Sequence, residues 1–382
     1  MDLATGDVAA LQEAASEARK WLFESLLPLW ADRGLDPSGG FHDQLDDDGV
    51  PIDLPKRCRV QSRQTYVFAE AGRMGWNGPW RHCVEHGLTA LRTQFRRPDG
   101  FVRSKVDASG AKIDDTADNY DQAFAIFAFA QAHAVGVGRD VESDALALLM
   151  RLREQRSHPL GGFQESQPPS TPLRSNPHMH LFEASIAWAE QGLDDFRALA
   201  TEISRLSQDR FMASPGGVLL EYFDLYWQPL ADDRGRIAEP GHQFEWSWLF
   251  NRWIRTGGEV DPAIPSRLYA FADRFGVDQT RGVAINEVWT DGSPKDDNAR
   301  LWPQTERLKA ALAMGETSGD WGPAVASWRG LRQYALPTNT GLFRDKMRPD
   351  GTFIAEGAFA SSLYHITCAI SELDRVANTA VA

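Results

Sequence analysis

The chain has 382 residues, 42% of them hydrophobic, and 40 Lys and Arg against 53 Asp and Glu give it a formal net charge of −13. It is long enough to bury a sizeable core, and its acidic balance disfavours nucleic-acid binding, which needs a basic surface. It contains no apolar run of about 18 residues, and its N-terminus lacks the apolar region of a signal peptide. We therefore expect a cytoplasmic protein with neither nucleic-acid nor membrane partners.

A glycine followed by an apolar residue recurs along the chain at intervals of about 55–65 residues, a range typical of repeat architectures. The six copies are Gly40-Phe41, Gly100-Phe101, Gly162-Phe163, Gly217-Val218, Gly282-Val283 and Gly341-Leu342. Two stretches with helical periodicity separate successive copies. The repeating unit is therefore predicted to be a helix pair with one short loop or hairpin.

The predicted helices can be paired in chain order. The pairs cover about 60–76 with 79–97, 118–136 with 140–155, 178–191 with 193–208, 241–257 with 262–275, and 302–315 with 319–335, and the sixth comes from about 8–32 and 358–377. Six pairs predict an all-α fold, an (α/α)6 barrel, with short β-hairpins or loops on the active-site face. An open solenoid is the alternative, but helices at both chain ends favour closure. Residues 1–382 contain no linker, so we expect a single domain.

Polar side chains interrupt the apolar faces of the helices predicted to lie inside the barrel. Such groups are costly to bury unless they are satisfied, which makes them candidate site residues. In chain order they are Arg63, Tyr120, Asn176, His180, His242, Glu245, Trp302, Glu306 and His365. Each has a structural alternative: an arginine can form a surface ion pair, polar residues at a helix start can act as caps, and a mid-helix histidine can be hydrogen-bonded in the core.

The sequence does not favour a metal or cofactor site. His178 and His180 lie roughly 160° apart around a helix, whereas a metal-binding pair is expected at i and i+4. No glycine-rich nucleotide loop or serine-hydrolase elbow occurs in a strand–turn–helix context. We therefore predict no metal and no cofactor.

The histidines and Arg63 favour proton transfer beside a sugar carbonyl. Histidine exchanges protons near neutral pH, and a cation can stabilise the oxygen of an enediolate. Glu245 lies three residues after His242, where a carboxylate can orient an imidazole. A glycoside hydrolase would instead use two carboxylates, and Glu245 and Glu306 are the candidate pair.

Several motifs in the same order along essentially the whole chain resemble the N-acylglucosamine 2-epimerase family. They are VQSRQTYVFA, YDQAFA, NPHMHLFEA, EPGHQFEW, RLWPQTE and YHIT. The family also contains cellobiose and mannose 2-epimerases and bacterial mannose and sulfoquinovose isomerases. The resemblance implies an (α/α)6 barrel whose chemistry needs no metal.

The resemblance also implies a role for each matching position. By this resemblance, His242 and His365 form the acid–base pair, and Glu245 supports the catalytic histidine. Arg63 would bind the O1/O2 end of the sugar, and Asn176 and His180 would bind the sugar elsewhere. Tyr120 and Trp302 would line the wall against which the sugar ring lies. Glu306 is grouped with the substrate-binding residues.

Two departures from the family pattern limit the range of substrates that we expect. Disaccharide epimerases carry a tandem tryptophan where this chain has Leu301-Trp302, and an aromatic platform where it has Ala360, Ser361 and Ser362. The loss of both stacking surfaces favours a free monosaccharide, so we expect an isomerase converting D-mannose to D-fructose through a cis-enediol.

Four alternatives remain open. A sugar 2-epimerase would use the same residues, and a hydrolase or a non-catalytic sugar-binding protein is less favoured. A phosphorylated or sulfonated sugar is also possible, with Arg57, Arg59, Arg234 and Arg236 as the available cations. We expect a monomer or a weak homodimer.

Overall fold

The computed structural model describes residues 3–212, 216–336 and 341–380, and this part of the chain is mostly helical. Its α-helices are α1 (Leu3–Trp21), α2 (Leu27–Arg33), α3 (Cys58–Arg73), α4 (Trp80–Ala90), α5 (Asn119–Ala134), α6 (Val141–Arg156), α7 (Ser175–Ala189), α8 (Asp194–Leu206), α9 (Pro240–Arg255), α10 (Ala263–Gly276), α11 (Leu301–Ser318), α12 (Gly322–Arg332) and α13 (Ala360–Thr379). A π-helical segment, Leu22–Leu26, joins α1 to α2, and two others, Leu91–Phe95 and Ser207–Phe211, extend α4 and α8.

The strands are short, each two or three residues long. They are β1 (Gln44–Leu45), β2 (Lys56–Arg57), β3 (Lys105–Val106), β4 (Lys112–Asp114), β5 (Ala117–Asp118), β6 (Ser166–Gln167), β7 (Leu173–Arg174), β8 (Tyr222–Phe223), β9 (Ile237–Ala238), β10 (Val277–Asp278), β11 (Val283–Ala284), β12 (Glu287–Trp289), β13 (Pro294–Asp296), β14 (Ala299–Arg300), β15 (Lys346–Met347) and β16 (Ala358–Phe359). They form small antiparallel sheets in the orders β1-β16, β2-β3-β4, β5-β6, β7-β8, β9-β12-β13, β10-β11 and β14-β15.

The helices pack as an inner and an outer set. In the inner set, α3, α5, α7, α9, α11 and α13 each contact the next, and α13 contacts α3. The outer helices α4, α6, α8, α10 and α12 each pack on the inner helix before them, while α1 packs on α13. These are the six predicted helix pairs, and their positions in the sequence are confirmed.

The inner helices are buried on nearly every side, as expected of helices that are apolar all round. In α7, Asn176 is the one residue that is not fully buried. A strand ends immediately before each inner helix, or one residue before it in the case of α9, and the β1–β16 pair joins the first loop of the chain to the segment before α13. The N-termini of the inner helices therefore lie at the same end of the molecule, where their first turns meet.

Buried amide side chains hold the loops in which the glycine signature recurs. Gln122 on α5 accepts a hydrogen bond from the backbone N–H of Val102 (2.8 Å) and donates to its carbonyl (2.9 Å). Gln61, Gln243 and Gln304 hold Phe41, Leu219 and Ala284 in the same way. In the third repeat His178 replaces glutamine, and its Nε2 accepts from the N–H of Phe163 (3.0 Å). A Cβ on Gly162, which has φ of +72°, would lie 2.7 Å from this Nε2, so glycine is required there.

The three cysteines, Cys58, Cys83 and Cys368, are buried and form no disulfide. Within the described residues, no helix combines the length and the apolar character needed to cross a membrane.

Candidate active site

A cavity of about 180 Å³ lies among the first turns of the inner helices. All six inner helices contribute to it. Its lining residues are Arg63, Tyr120, Asn176, His180, Glu239, His242, Glu245, Arg300, Trp302, Ser361, Ser362 and His365. Eight of the nine predicted site residues are in this set, and Glu306 is not.

Glu306, predicted as a substrate-binding residue, lies behind His365, is fully buried and does not line the cavity. It follows Trp302 by about one turn of α11, which takes its side chain deeper along the axis than the cavity reaches. Its Oε1 is 2.9 Å from Nδ1 of His365, and its Oε2 is 2.6 Å from Nζ of Lys309. Glu306 therefore orients a histidine instead of contacting substrate.

His365 is a neutral imidazole in this setting. Burial, and after it the positive charges of Arg63 and Lys309, hold the pKa of His365 well below its ordinary value. Because Nδ1 faces the Glu306 carboxylate, we assign the ring proton to Nδ1. Nε2 is left with a free lone pair, which is what a general base requires.

His242 has the opposite protonation state to His365. Its Nδ1 lies 2.9 Å from Oε2 of Glu221 and 3.7 Å from Oε2 of Glu239. Burial alone would lower the pKa of His242, but the negative charges of Glu221 and Glu239 raise it to about 10. The ring is therefore an imidazolium at neutral pH and a candidate general acid.

The carboxylate that contacts His242 is not the one expected from the sequence. Glu245 was expected to support this histidine, but its Oε1 lies 3.8 Å from Nδ1 of His180, and Glu221 holds His242 instead. Glu221 lies in the loop just before β8, 21 residues from His242 in sequence. No local spacing pattern connects the two positions.

The two histidines both lie against Trp302. The ring centroid of Trp302 is 5.0 Å from that of His242 and 5.9 Å from that of His365. Environments that push two pKa values apart within one cavity assign an acid and a base. The arrangement is therefore suited to moving a proton onto and off a bound molecule.

His180 lines the cavity and lies beside two carboxyl groups, those of Glu183 and Glu245. Nδ1 of His180 is 3.3 Å from Oε2 of Glu183, which also accepts a hydrogen bond from Tyr364 (2.6 Å). Burial lowers the pKa of His180 to about 4. Burial, and after it the charge of Glu306, raise the pKa of Glu245 well above its ordinary value, which keeps this group protonated.

Two clusters have ligand-type atoms close enough together to hold a metal ion. They are His180, Glu183 and Glu245, and Glu221, Glu239 and His242, each with the relevant atoms within 4.8 Å of one another. In both clusters Nδ1 of the histidine faces a carboxylate oxygen, and a proton shared there occupies the lone pair that a metal would need. We interpret both as histidine–carboxylate hydrogen bonds.

Arg63 is a buried cation without a counter-ion. It is 6% exposed, and its Nη2 donates to the Tyr120 hydroxyl (2.6 Å). Its guanidinium carbon lies 4.4 Å from the centroid of Phe124. No carboxylate of the described residues lies within ion-pair distance of it, so an oxygen that gains negative charge in the cavity would compensate it.

The other arginines considered for an anionic substrate lie outside the cavity lining. Arg57 and Arg59 pair with Asp43 and Asp121, and Arg234 and Arg236 pair with Asp232 and Asp291. Arg300 does line the cavity, and its half-exposed side chain lies 3.9 Å from Asp345.

Residues 39–369 match the family model of N-acylglucosamine 2-epimerase. The chain belongs to the N-acylglucosamine 2-epimerase family. It is 42% identical over 378 residues to a mannose-6-phosphate isomerase of Rhizobium meliloti strain 1021, covering 94% of this chain and 96% of the relative. It is 26% identical over 309 residues to a D-mannose isomerase of Marinomonas mediterranea, covering 75% and 77%.

Among solved structures, a cellobiose 2-epimerase from Spirochaeta thermophila has the same fold, with a TM-score of 0.87 at 21% identity over 97% of this chain and 98% of that one. As a member of the N-acylglucosamine 2-epimerase family, the protein is a sugar isomerase or epimerase, as the sequence predicted.

Three residues in or next to the cavity were not predicted from the sequence. Glu239 precedes His242 by three residues within the EPGHQFEW motif, so the spacing could have identified it. Arg300 lies two residues before Trp302, at the start of α11. It belongs to the RLWPQTE motif, but the sequence did not indicate that its charge would lie at the cavity. Glu221 had no such signal.

The Glu221–His242 pair leads to a prediction about pH. Removing the charge in Glu221→Gln should lower the pKa of His242 from about 10 by about one to three units, because an adjacent opposite charge stabilises the protonated ring. Since the acid must be protonated, the high-pH limb of kcat/KM should move to lower pH. Steady-state kinetics across pH would measure this, and an unmoved limb would mean that Glu221 does not set the state of His242.

Proposed function

We propose that this protein interconverts D-mannose and D-fructose, and that its packed helices form the closed (α/α)6 barrel predicted from the repeat. The observation that carries the proposal is that a neutral His365 and a protonated His242 both lie against Trp302 in one cavity. The family, the mannose-6-phosphate isomerase relative and the D-mannose isomerase relative support the same reaction class and a mannose-type substrate.

The geometry supports a proton-transfer mechanism. His242 donates a proton to the ring oxygen as the sugar opens, and the neutral His242 ring takes up the proton of the O1 hydroxyl, which leaves the C1 aldehyde. Nε2 of His365 then takes the proton from C2, and the electron pair of the C2–H bond becomes the C1–C2 double bond of a cis-enediolate with its negative charge on O1. The proton of O2 passes to O1 through the cis-enediol, C2 becomes the carbonyl, and His365 delivers its proton to C1.

Arg63 has the position of an electrophile in this sequence. Its guanidinium is held by Tyr120 and by the Ser361 carbonyl (3.4 Å), with no carboxylate competing for it in the described structure. Oxygens O1 and O2 gain negative charge as the enediol forms, and a preorganised buried cation stabilises that charge strongly.

The size and lining of the cavity support a single sugar ring. It has a volume of about 180 Å³, and Ser361 and Ser362 line it where disaccharide epimerases carry an aromatic platform. Oδ1 of Asn176 has no hydrogen-bond partner among the described residues and is available to a sugar hydroxyl.

The alternatives differ in how well they fit. A 2-epimerase would use the same residues, with His242 returning a proton to the opposite face of C2. A glycoside hydrolase would need two carboxyl groups facing the scissile bond. Glu306 lies outside the cavity and Glu245 is held protonated, so the pair suggested from the sequence does not supply them.

Product analysis tests the proposal. Purified protein would be incubated with D-mannose, D-fructose and D-glucose in separate reactions, and the sugars would be identified by NMR. We expect mannose and fructose to interconvert and glucose to remain unchanged. If mannose gives glucose with little fructose, the protein is a 2-epimerase and not an isomerase.

A second candidate substrate is mannose 6-phosphate, favoured by Arg300 at the cavity and by the name of the Rhizobium meliloti relative. If the phosphate is bound there, Arg300→Gln should lower kcat/KM for mannose 6-phosphate roughly 10- to 100-fold, the effect of losing a hydrogen bond to a charged group. If the substrate is free mannose, the wild type should have a higher kcat/KM for D-mannose than for mannose 6-phosphate. Arg300→Gln should then change kcat/KM for D-mannose by less than about threefold.

The comparison needs a matched control. Arg236→Gln removes an exposed arginine that does not line the cavity and should leave kcat/KM for both sugars unchanged. A strong preference for mannose 6-phosphate that depends on Arg300 and not on Arg236 would overturn the free-sugar assignment.

A further inference from the structure

A buried lysine lies one layer behind the cavity and has no part in the mechanism described above. Lys309 on α11 is fully buried, and its Nζ is 2.6 Å from Oε2 of Glu306 and 3.7 Å from Sγ of Cys368. Nζ also lies 3.8 Å from the ring centroid of Trp248. It does not line the cavity, so it cannot contact substrate directly.

Among His365, Glu306 and Lys309, the charges balance only because Lys309 is present. A neutral His365, an ionised Glu306 and a protonated Lys309 together carry no net charge. Burial raises the pKa of Glu306, and Lys309 opposes that shift. Without the lysine, an uncompensated carboxylate would remain buried beside the imidazole, which is a costly state.

We propose that Lys309 is a positioning residue that keeps Glu306 ionised as the acceptor for Nδ1–H of His365, and thereby keeps the Nε2 lone pair of His365 directed toward the sugar. This inference rests on the proposed function, in which His365 is the base.

Other charged and titratable groups face these two residues and do not replace Lys309. Those near His365 are Arg63 on α3, His180 and Glu183 on α7, and His242 on α9, and those near Lys309 are Glu183, Glu245 on α9, and Cys368 on α13. Glu245 is held protonated, and Arg63 forms no ion pair with a carboxylate of the described residues. In the described structure, Lys309 is the one Lys or Arg within ion-pair distance of Glu306.

Loss of the lysine charge should bring one extra proton to the Glu306–His365 pair. If the proton goes to His365, the ring becomes an imidazolium with Nε2 protonated. If it goes to Oε1 of Glu306, this O–H donates to Nδ1, and the ring proton moves to Nε2. The free lone pair on Nε2 is lost in both of these microstates of the coupled pair. A proton on Oε2 of Glu306 would instead leave Nδ1–H on Oε1 and the Nε2 lone pair free, which is the outcome that would contradict the inference.

The test uses the variants Lys309→Met and Lys309→Gln in the full-length protein. Both lack the charge, and the glutamine amide can still donate to Glu306 if the methionine variant does not fold. The state of Nε2 is read by ¹⁵N NMR of the histidine rings at neutral pH, with the His365 signal assigned from its absence in His365→Gln. The pH profile of kcat/KM is measured in parallel.

We expect an unprotonated Nε2 in the wild type and a protonated Nε2 in both charge-free variants. The low-pH limb of kcat/KM should move to higher pH by at least about one unit, which is roughly a tenfold loss of activity below the new limb. Lys309→Arg keeps the charge and should leave both readouts close to wild type.

Lys56→Met is the matched control, because Lys56 is also buried and pairs with Asp36 at 2.7 Å away from the cavity. It should lose stability but leave Nε2 and the low-pH limb unchanged. An unprotonated Nε2 and an unmoved limb in both charge-free variants would overturn the inference. The NMR readout does not depend on turnover, so a wild type without sugar activity would count against the proposed function and not against the role of Lys309.

Discussion

His365→Gln is expected to lower kcat for mannose isomerisation by about 10²- to 10⁴-fold, the usual contribution of a general base. Glutamine keeps similar bulk beside Glu306 but offers no basic nitrogen to the cavity. KM should change little, because the loss falls on the chemical step and not on sugar binding. Steady-state kinetics with D-mannose and D-fructose would measure the effect in both directions.

The control for this variant is His178→Gln. His178 is buried and performs the backbone-holding task that Gln61, Gln122 and Gln243 perform in other repeats. Glutamine at this position should therefore fold and retain activity close to wild type. A His365→Gln variant with near-normal kcat, or a His178→Gln variant equally inactive while folded, would contradict the assignment of His365 as the base.

Arg63→Met should reduce kcat/KM by about 10²- to 10³-fold, because it removes a preorganised donor aimed at developing negative charge. The loss should appear mainly in kcat, since O1 and O2 carry extra charge only as the enediol forms. Arg63→Lys should recover little of the activity, because a lysine ammonium lacks the planar fork that reaches Tyr120, Ser361 and the sugar together.

Arg73→Met provides the comparison on the same helix. Arg73 is at the other end of α3, where its largely exposed side chain pairs with Glu70. This variant should keep wild-type kcat/KM. If Arg63→Met raised KM at unchanged kcat, Arg63 would bind the ground state of the sugar and its role as an electrophile would be wrong.

The sequence was sufficient for the helix pairs because each repeat carries its own local signal. The six signature glycines, Gly162 among them, adopt positive φ, so their spacing marks the loops and thus the helices between them. The helical period then placed His180, His242 and His365 on inward faces. Because the N-termini of the inner helices share one end, residues distant in sequence meet there.

The partners of the histidines could not be predicted in the same way. Glu221 and His242 meet through a loop–helix contact, and Glu306 and His365 meet between neighbouring helices. Helical spacing places Trp302 and Glu306 on one face of α11, but it does not show how deep the cavity extends. Lys309 gave no signal because a lysine in a helix is ordinarily exposed, and here it is fully buried.

The most direct test of His365-mediated proton transfer is ¹H NMR of the reaction in D₂O, with wild type and His365→Gln compared on D-mannose. For the wild type we expect fructose carrying solvent deuterium at C1, and deuterium at C2 in mannose recovered from the reverse reaction. The His365→Gln variant should show neither signal. Fructose formation or solvent exchange that persists at the wild-type rate in a folded His365→Gln variant would contradict proton transfer by His365.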